Sequence, residues 1–173
     1  EPMRPSIQIA PHCLGIDFLP RLRLEPRPIL AVLENAEEPW PTGAPRESGY
    51  RFRGYRLADK LKPVFRYQYE EIQVEDFFDP TSDKDFTPVK RTVRLSSETR
   101  VEGLWLRVIV ADSLELKGDI LHIDNDWQLT VSGDVGQQVV RKDGNRTEVL
   151  VPVTWKKVPS GGYRAEIIEL FEW

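Results

Sequence analysis

The sequence predicts a mostly-β protein: an antiparallel β-sandwich of about nine to eleven strands, with a proline-rich extended N-terminal arm. Two observations carry this prediction. Apolar and polar residues alternate with a period of two through most of the chain after Gly49, which is typical of strands that bury one face. Clusters of turn-forming residues separate these runs, and no run has the length and period of an ordinary helix.

Prolines divide the chain into an arm and a domain. Nine of the fourteen prolines lie before residue 46, and proline lacks the N–H donor that helices and central strands require. We therefore interpret residues 1–48 as an extended arm and residues 49–173 as the β-sandwich domain. One stretch of the arm, 29–36 (ILAVLENA), is compatible with an edge strand or a short helical turn.

Apolar side chains in the arm need a surface to cover. A proline-rich segment loses little entropy on ordering, so it can lie in a groove on another protein. Alternatively, it covers an edge of this chain's own sheet and so protects an exposed strand. The candidate partner-binding residues are Ile7, Ile9, Leu14, Ile16, Phe18, Leu22 and Leu24.

The segment YRFRGYRL, residues 50–57, predicts a strand with a bulge. Its aromatic residues alternate with arginines until Gly54, which shifts the phase as a β-bulge does. The following run, residues 64–69 (VFRYQY), returns as the second strand of a hairpin. We expect the aromatic face to point into the core and the arginines to point into solvent. The structural residues of this hairpin are Phe52, Gly54, Tyr55, Phe65 and Tyr67.

Alternation assigns faces in two of the later strands. In VKRTVRL, the residues that share one face are Val89, Arg91, Val93 and Leu95. In LWLRVIV, we expect Leu104, Leu106, Val108 and Val110 on one face and Trp105, Arg107 and Ile109 on the other.

Turn residues predict two further hairpins. One turns at Asp124-Asn125-Asp126 and the other at Asp143-Gly144. The final run, residues 163–173 (YRAEIIELFEW), suits a helix by composition, but its alternation favours a strand.

Composition argues against several classes of function. The net charge of −4 argues mildly against a nucleic-acid partner, because such domains usually carry a basic surplus. Cys13 is the single cysteine, so the chain forms no intrachain disulfide. No apolar run approaches the roughly 18 residues of a membrane span, so we predict no transmembrane segment.

No motif predicts catalysis or cofactor binding. The sequence has no G-x-S-x-G elbow, no phosphate-binding loop, no dinucleotide motif and no haem-attachment motif. His12 and His122 lack further ligands at metal-site spacing. The acidic segments 75–85 and 124–127 lack the glycine and closing glutamate of a calcium loop. We therefore predict a non-enzyme with no catalytic residue, no cofactor and no metal.

Segments between residues 38 and 173 resemble a β-rich domain of large exported bacterial proteins, where it accompanies a glucose/sorbosone-dehydrogenase-like propeller and a c-type cytochrome. The resemblance implies export and electron-transfer partners but no activity. The chain departs from those proteins in lacking a propeller and a haem motif, and residues 1–37 match poorly. The similar segments are Trp40-Pro41, 52–57 (FRGYRL), Phe65-x-Tyr67, 74–77 (VEDF), Arg91-Thr92 through Leu95, 150–153 (LVPV) and Glu172-Trp173.

These observations support two hypotheses. The first is a non-catalytic accessory or structural subunit, periplasmic or otherwise exported. It would dock by protein–protein contacts on a respiratory or photosynthetic electron-transfer complex that includes a c-type cytochrome. This hypothesis predicts an exposed apolar patch along the arm or on one sheet face. The alternative is a carbohydrate-binding module, which needs at least two tryptophans exposed on one face or loop, drawn from Trp40, Trp105, Trp127, Trp155 and Trp173.

Overall fold

The computed structural model describes residues 29–58, 62–80, 88–124 and 127–172. These residues form thirteen strands and no helix, so the predicted mostly-β, sandwich-like class is confirmed. The strand count exceeds the prediction by two, and the strands that the sequence does not indicate, at 114–117 and 156–157, are only four and two residues long. Alternation over so few residues gives no readable period.

The strands in chain order are β1 (Leu30–Val32), β2 (Tyr50–Leu57), β3 (Pro63–Tyr69), β4 (Ile72–Pro80), β5 (Val89–Ser97), β6 (Leu104–Ala111), β7 (Leu114–Lys117), β8 (Ile120–Ile123), β9 (Trp127–Gly133), β10 (Val139–Asp143), β11 (Arg146–Pro152), β12 (Lys156–Lys157) and β13 (Tyr163–Glu172).

Two antiparallel sheets enclose the core. The smaller sheet has the order β1-β6-β11-β10, and the larger has the order β2-β3-β4-β5-β13-β9-β8-β7, with β12 paired to β13. One buried cluster contains Leu30, Leu106 and Val149 from the smaller sheet together with Val93 and Ile167 from the larger. The sheets therefore pack face to face around a shared apolar layer.

The predicted hairpins and the predicted final strand are present. Strands β8 and β9 pair with Ile123 opposite Trp127, and β10 pairs with β11 so that Asp143 lies opposite Arg146. The C-terminal run forms β13, a ten-residue strand between β5 and β9. Each of these three predictions is confirmed.

The face assignment predicted for β6 is wrong in the second half of that strand. Ile109 belongs to the core cluster, whereas Val110 pairs with Glu148 and is not part of that cluster. The reason is a register shift in the β6–β11 pair at Val149/Leu150, which inverts the alternation as a bulge does. No glycine marks this position in β6, so the sequence carries no sign of the shift.

Residues 29–48, which the sequence assigns to the arm, lie in the folded domain. Strand β1 pairs with β6, with Leu30 opposite Leu106, so the edge-strand alternative for this stretch is correct. Beyond β1, Leu33 and Trp40 form a second buried cluster with Leu150. The arm residues Ile7, Ile9, Leu14, Ile16, Phe18, Leu22 and Leu24 lie outside the described residues.

Charged side chains anchor the segment that follows β1. The Arg141 guanidinium donates hydrogen bonds to the backbone carbonyls of Ala36 and Glu38. Its Nε also donates to Glu148 at 2.6 Å. Arg107, ion-paired with the same carboxylate at 2.8 Å, lies under the Trp40 ring at 5.6 Å. These contacts hold the segment against the outer face of the smaller sheet.

The bulge predicted in β2 is present. The register of the β2–β3 pair shifts between Phe52 and Gly54, and Gly54 has φ +98°. Residues that have a Cβ atom are strained at such a positive φ, whereas glycine adopts it without strain.

We predict that Gly54→Ala lowers the free energy of unfolding by about 1–3 kcal/mol, the cost of holding a non-glycine residue at such a φ. A Cβ atom at Gly54 would meet no atom within 4 Å, so the loss measures backbone conformation alone. Urea unfolding followed by circular dichroism gives the value. Gly43→Ala is the control, at a loop glycine without a positive φ, where the added Cβ would lie 3.3 Å from the Ser48 hydroxyl. An effect of Gly54→Ala within a few tenths of a kcal/mol of that control would contradict the bulge geometry.

Candidate functional site

Three charged side chains lie inside the core. Arg91 on β5 donates to Asp76 on β4 through Nε at 3.0 Å and Nη2 at 2.9 Å. Its Nη1 donates to Glu169 on β13 at 3.0 Å. Both carboxylates are fully buried, and Arg91 is 6% exposed. Because no substrate reaches these groups, we assign the cluster to the stability of the fold and not to catalysis.

Burial sets the protonation of this cluster. Burial raises the pKa of Glu169, the Arg91 charge lowers it and the Asp76 charge raises it, and the net pKa shift is upward. Glu169 Oε1 also accepts no hydrogen bond from the described residues. Burial alone would lower the pKa of Arg91, but its attraction to Asp76 and Glu169 outweighs burial and raises that pKa. Arg91 therefore stays charged, and Glu169 is the carboxyl that takes up a proton more readily than an ordinary glutamate.

Sequence reasoning missed this cluster, although a signal for it exists. Arg91 alternates in phase with Val93, Asp76 with Val74, and Glu169 with Ile167. A charged residue in phase with the apolar face of one strand is unremarkable. Arg91 on β5 together with carboxylates in the same phase on β4 and β13 indicates a buried ion cluster, because a buried charge requires partners.

The aromatic face of the β2–β3 hairpin divides into a covered end and an uncovered end. At the covered end, Tyr50 stacks on Tyr69 with ring centroids 4.7 Å apart. The Tyr50 hydroxyl donates to the Leu30 carbonyl at 3.0 Å, which ties β2 to β1. Burial raises the pKa of Tyr50, so this phenol stays protonated across the physiological pH range.

At the uncovered end, Phe52, Tyr55 and Leu57 are 47%, 52% and 55% exposed. We call these three residues the apolar row. The prediction that Phe52 and Tyr55 point into the core is therefore wrong, although their cross-strand partner Tyr67 is buried and Phe65 is partly buried. The physical reason is the size of the smaller sheet, whose edge strand β1 has three residues. Among the described residues, β1 is bonded to β2 through Tyr50, at the far end from Leu57.

The other face of β2 is basic, as predicted. Arg51, Arg53 and Arg56 are all exposed. Arg56 pairs with Glu75 at 3.2 Å, and Arg53 donates to the neutral side chain of Gln68 at 2.9 Å. Strand β2 is also the edge of the larger sheet. It therefore presents an apolar side, a basic side and a backbone edge that pairs with no other strand of the described residues.

The four described tryptophans do not form the exposed platform that the carbohydrate hypothesis requires. Trp40 is 4% exposed, and Trp105, Trp127 and Trp155 are partly buried against the core clusters. The Trp155 indole donates to the Val101 carbonyl at 2.9 Å. Trp173 lies outside the described residues.

Within the described ranges, no group of three or more His, Cys, Asp and Glu side chains is placed to hold a metal ion. His122 lies on β8 opposite Glu115 and Gln128, while His12 and Cys13 fall outside those ranges. In the same part of the chain, no helix is long and apolar enough to cross a membrane.

Comparison with protein-family models, with curated proteins and with solved structures finds no match for this chain. The resemblance to the exported β-rich domain therefore rests on the sequence segments quoted above.

We predict that Arg91→Leu lowers the free energy of unfolding by about 3–5 kcal/mol, because it leaves two carboxylates buried without their cation. Arg94→Leu is the matched control on the same strand. The Arg94–Glu166 pair is half exposed on both sides, so its loss should cost no more than about 1 kcal/mol. Chemical denaturation of both variants measures the difference. Equal losses would show that the buried cluster contributes no more than a surface ion pair.

We predict a pH-dependent difference between the wild type and Glu169→Gln. Glu169 has a raised pKa in the folded state, so the native state holds its proton more tightly than the unfolded chain. The stability contributed by that proton is fully present below the ordinary glutamate pKa of about 4.3. It is lost as pH rises through the raised folded pKa. The unfolding free energy of Glu169→Gln should therefore gain on that of the wild type as pH rises from about 4, measured by denaturation at each pH. A difference that is constant with pH would contradict the assignment.

Proposed function

We propose that this protein is a non-catalytic accessory subunit that docks on a larger exported electron-transfer complex through the apolar row. The observation that carries the proposal is the exposure of Phe52, Tyr55 and Leu57, each about half exposed on one face of one strand. Isolated apolar side chains are normal on protein surfaces, but a contiguous row of large ones marks an interaction site.

The surroundings of the row suit a protein partner. The Phe52 ring lies 5.8 Å from the Tyr67 ring, and the Tyr55 ring lies 6.4 Å from the Phe65 ring. Both exposed aromatics are thus held in place by neighbours across the hairpin. Prepositioned aromatic side chains lose little entropy on binding and are common anchors of protein interfaces.

The edge of β2 adds main-chain groups to this surface. An exposed edge strand can accept a strand from another protein, with main-chain hydrogen bonds supplying affinity and alternate side chains supplying specificity. A partner strand beside β2 would cover the apolar row on one face and meet Arg51 and Arg56 on the other.

The proposal that the host is an electron-transfer complex rests on the sequence resemblance. The domain that residues 38–173 resemble accompanies a c-type cytochrome in exported proteins, which supports a periplasmic redox assembly as the host. The carbohydrate-binding alternative needs a tryptophan platform, and the described tryptophans supply none.

We predict that the tagged chain, purified from its native membranes, brings down a partner with a haem absorption spectrum at a stoichiometric level. Replacing Phe52, Tyr55 and Leu57 together with serine should abolish this recovery, because the row supplies the apolar contact. These side chains are already half exposed, so the variant should remain folded by circular dichroism.

The matched control replaces Leu116, Ile120 and Val140 with serine. These residues are 38%, 39% and 36% exposed and lie on other strands, so the control should recover the partner at the wild-type level. Recovery of the wild-type chain alone would overturn the redox-complex proposal. Full recovery by the row variant would overturn the role of the apolar row.

A further inference from the structure

The outer face of the larger sheet, which points away from the core, forms a trough of about 1000 Å³ across β2, β3, β4, β5 and β13. Its lining is polar and charged, unlike the apolar face of the same strands. The trough lies on the opposite side of the hairpin from the apolar row, so the two surfaces use different side chains.

One line of side chains crosses the trough from strand to strand. The pairing register places Arg66, Glu75, Arg94 and Glu166 next to one another on β3, β4, β5 and β13. Arg94 donates to Glu166 at 2.6 Å, and Glu75 pairs with Arg56. Arg66 makes no hydrogen bond or ion pair with any described residue, although it faces Glu75 in the register.

A second line runs parallel to the first. It consists of Gln68, Gln73, Ser96 and Arg164 on the same four strands. Gln68 is engaged by Arg53 and by the Glu70 carbonyl. Among the described residues, the side chains of Gln73, Ser96 and Arg164 have no hydrogen-bond or ion-pair partner.

The remaining carboxylates of the trough are occupied. Asp134 pairs with Lys156, and Glu71 accepts a hydrogen bond from the Thr99 hydroxyl. Glu71 keeps its negative charge, because a hydroxyl is neutral, and Arg53 keeps its positive charge, because its partner Gln68 is neutral. Among the described residues, Arg66 and Arg164 have no hydrogen-bond or ion-pair partner. Positive charge without an ion-pair partner therefore exceeds negative charge in the trough, which favours an anionic ligand.

The spacing of the two free arginines constrains that ligand. Arg66 lies on the first line and Arg164 on the second, so they are three strands apart and offset by two residues along the strands. At the usual strand spacing and rise this diagonal is about 16 Å. Between them lie the amide of Gln73 and the hydroxyl of Ser96, which suit hydroxyl groups on a ligand. Among the described residues of the lining, the only aromatic one, Tyr67, is buried with the core, so these residues offer no platform for stacking bases.

We propose that this trough binds an acidic oligosaccharide, with Arg66 and Arg164 each holding a carboxylate and with Gln73 and Ser96 bonding the sugar hydroxyls between them. The proposal is independent of the docking function, because it uses the opposite face of the sheet. This site also needs no tryptophan, whereas the carbohydrate-binding module that the sequence suggests requires at least two exposed ones.

The test is calorimetric titration of the full chain with a galacturonic acid tetramer and with the same tetramer fully methyl-esterified. We expect binding of the acid and at least tenfold weaker binding of the ester, which keeps the hydroxyls but loses the charges. Arg66→Gln and Arg164→Gln should each weaken binding of the acid about tenfold, as expected for a lost charge-assisted hydrogen bond. Binding should also weaken as salt is added.

Arg100→Gln is the control, since Arg100 is exposed, paired with Glu102 and outside the trough, and it should leave affinity unchanged. Absence of binding to the tetramer would overturn the proposal, as would binding that neither trough substitution alters. Poly-glutamate of similar length is the third ligand. Equal affinity for it would show that the trough recognises charge on a peptide and would overturn the assignment to a saccharide.

Discussion

The whole structure depends on Arg91 finding two carboxylates in the middle of an apolar core. A guanidinium does not lose its proton in a protein, so its burial is tolerable only while Asp76 and Glu169 lie within hydrogen-bonding distance. The three residues come from β4, β5 and β13, which are neighbours in the larger sheet. A one-residue slip of any of these strands would turn a charge to the opposite face. The cluster thus fixes the register of the strands that carry the other features of the molecule.

That register makes the two faces of the larger sheet chemically different. Residues in phase with Arg91 are apolar and meet the smaller sheet, whereas residues in the other phase line the polar trough. Because the smaller sheet has only four strands, it leaves the outer end of β2 without a cover. The apolar row is therefore a consequence of the unequal sizes of the two sheets, and β2 carries one candidate surface on each side.

Sequence patterns predict which side chains share a face but not whether anything covers that face. Alternation and Gly54 were enough to place β2 and β3 and the bulge between Phe52 and Gly54. The same pattern is found whether Phe52 is buried or exposed, since coverage depends on the length of β1 in a different sheet. The register shift in β6 between Arg107 and Ile109 has no glycine beside it that would reveal it in the sequence. The trough could not be predicted from the sequence for another reason. Its two lines of side chains depend on the order of four strands in the sheet, and one of them, β13, pairs with β5 although it is distant from β5 in sequence.

The segment around Trp40 affects where the folded unit begins. Strand β1 pairs with β6 and so covers one edge of that strand. The stretch after β1 crosses to the outer face of the smaller sheet, where Arg141 donates hydrogen bonds to two of its backbone carbonyls. A chain shortened to start at Gly49, just before β2, would uncover Leu106 along that edge and Leu150 on that face, both of which are fully buried here. The shortest chain that keeps these residues buried therefore starts no later than residue 29. The proline-rich stretch from 39 to 45, which contains the buried Trp40, belongs to the folded domain.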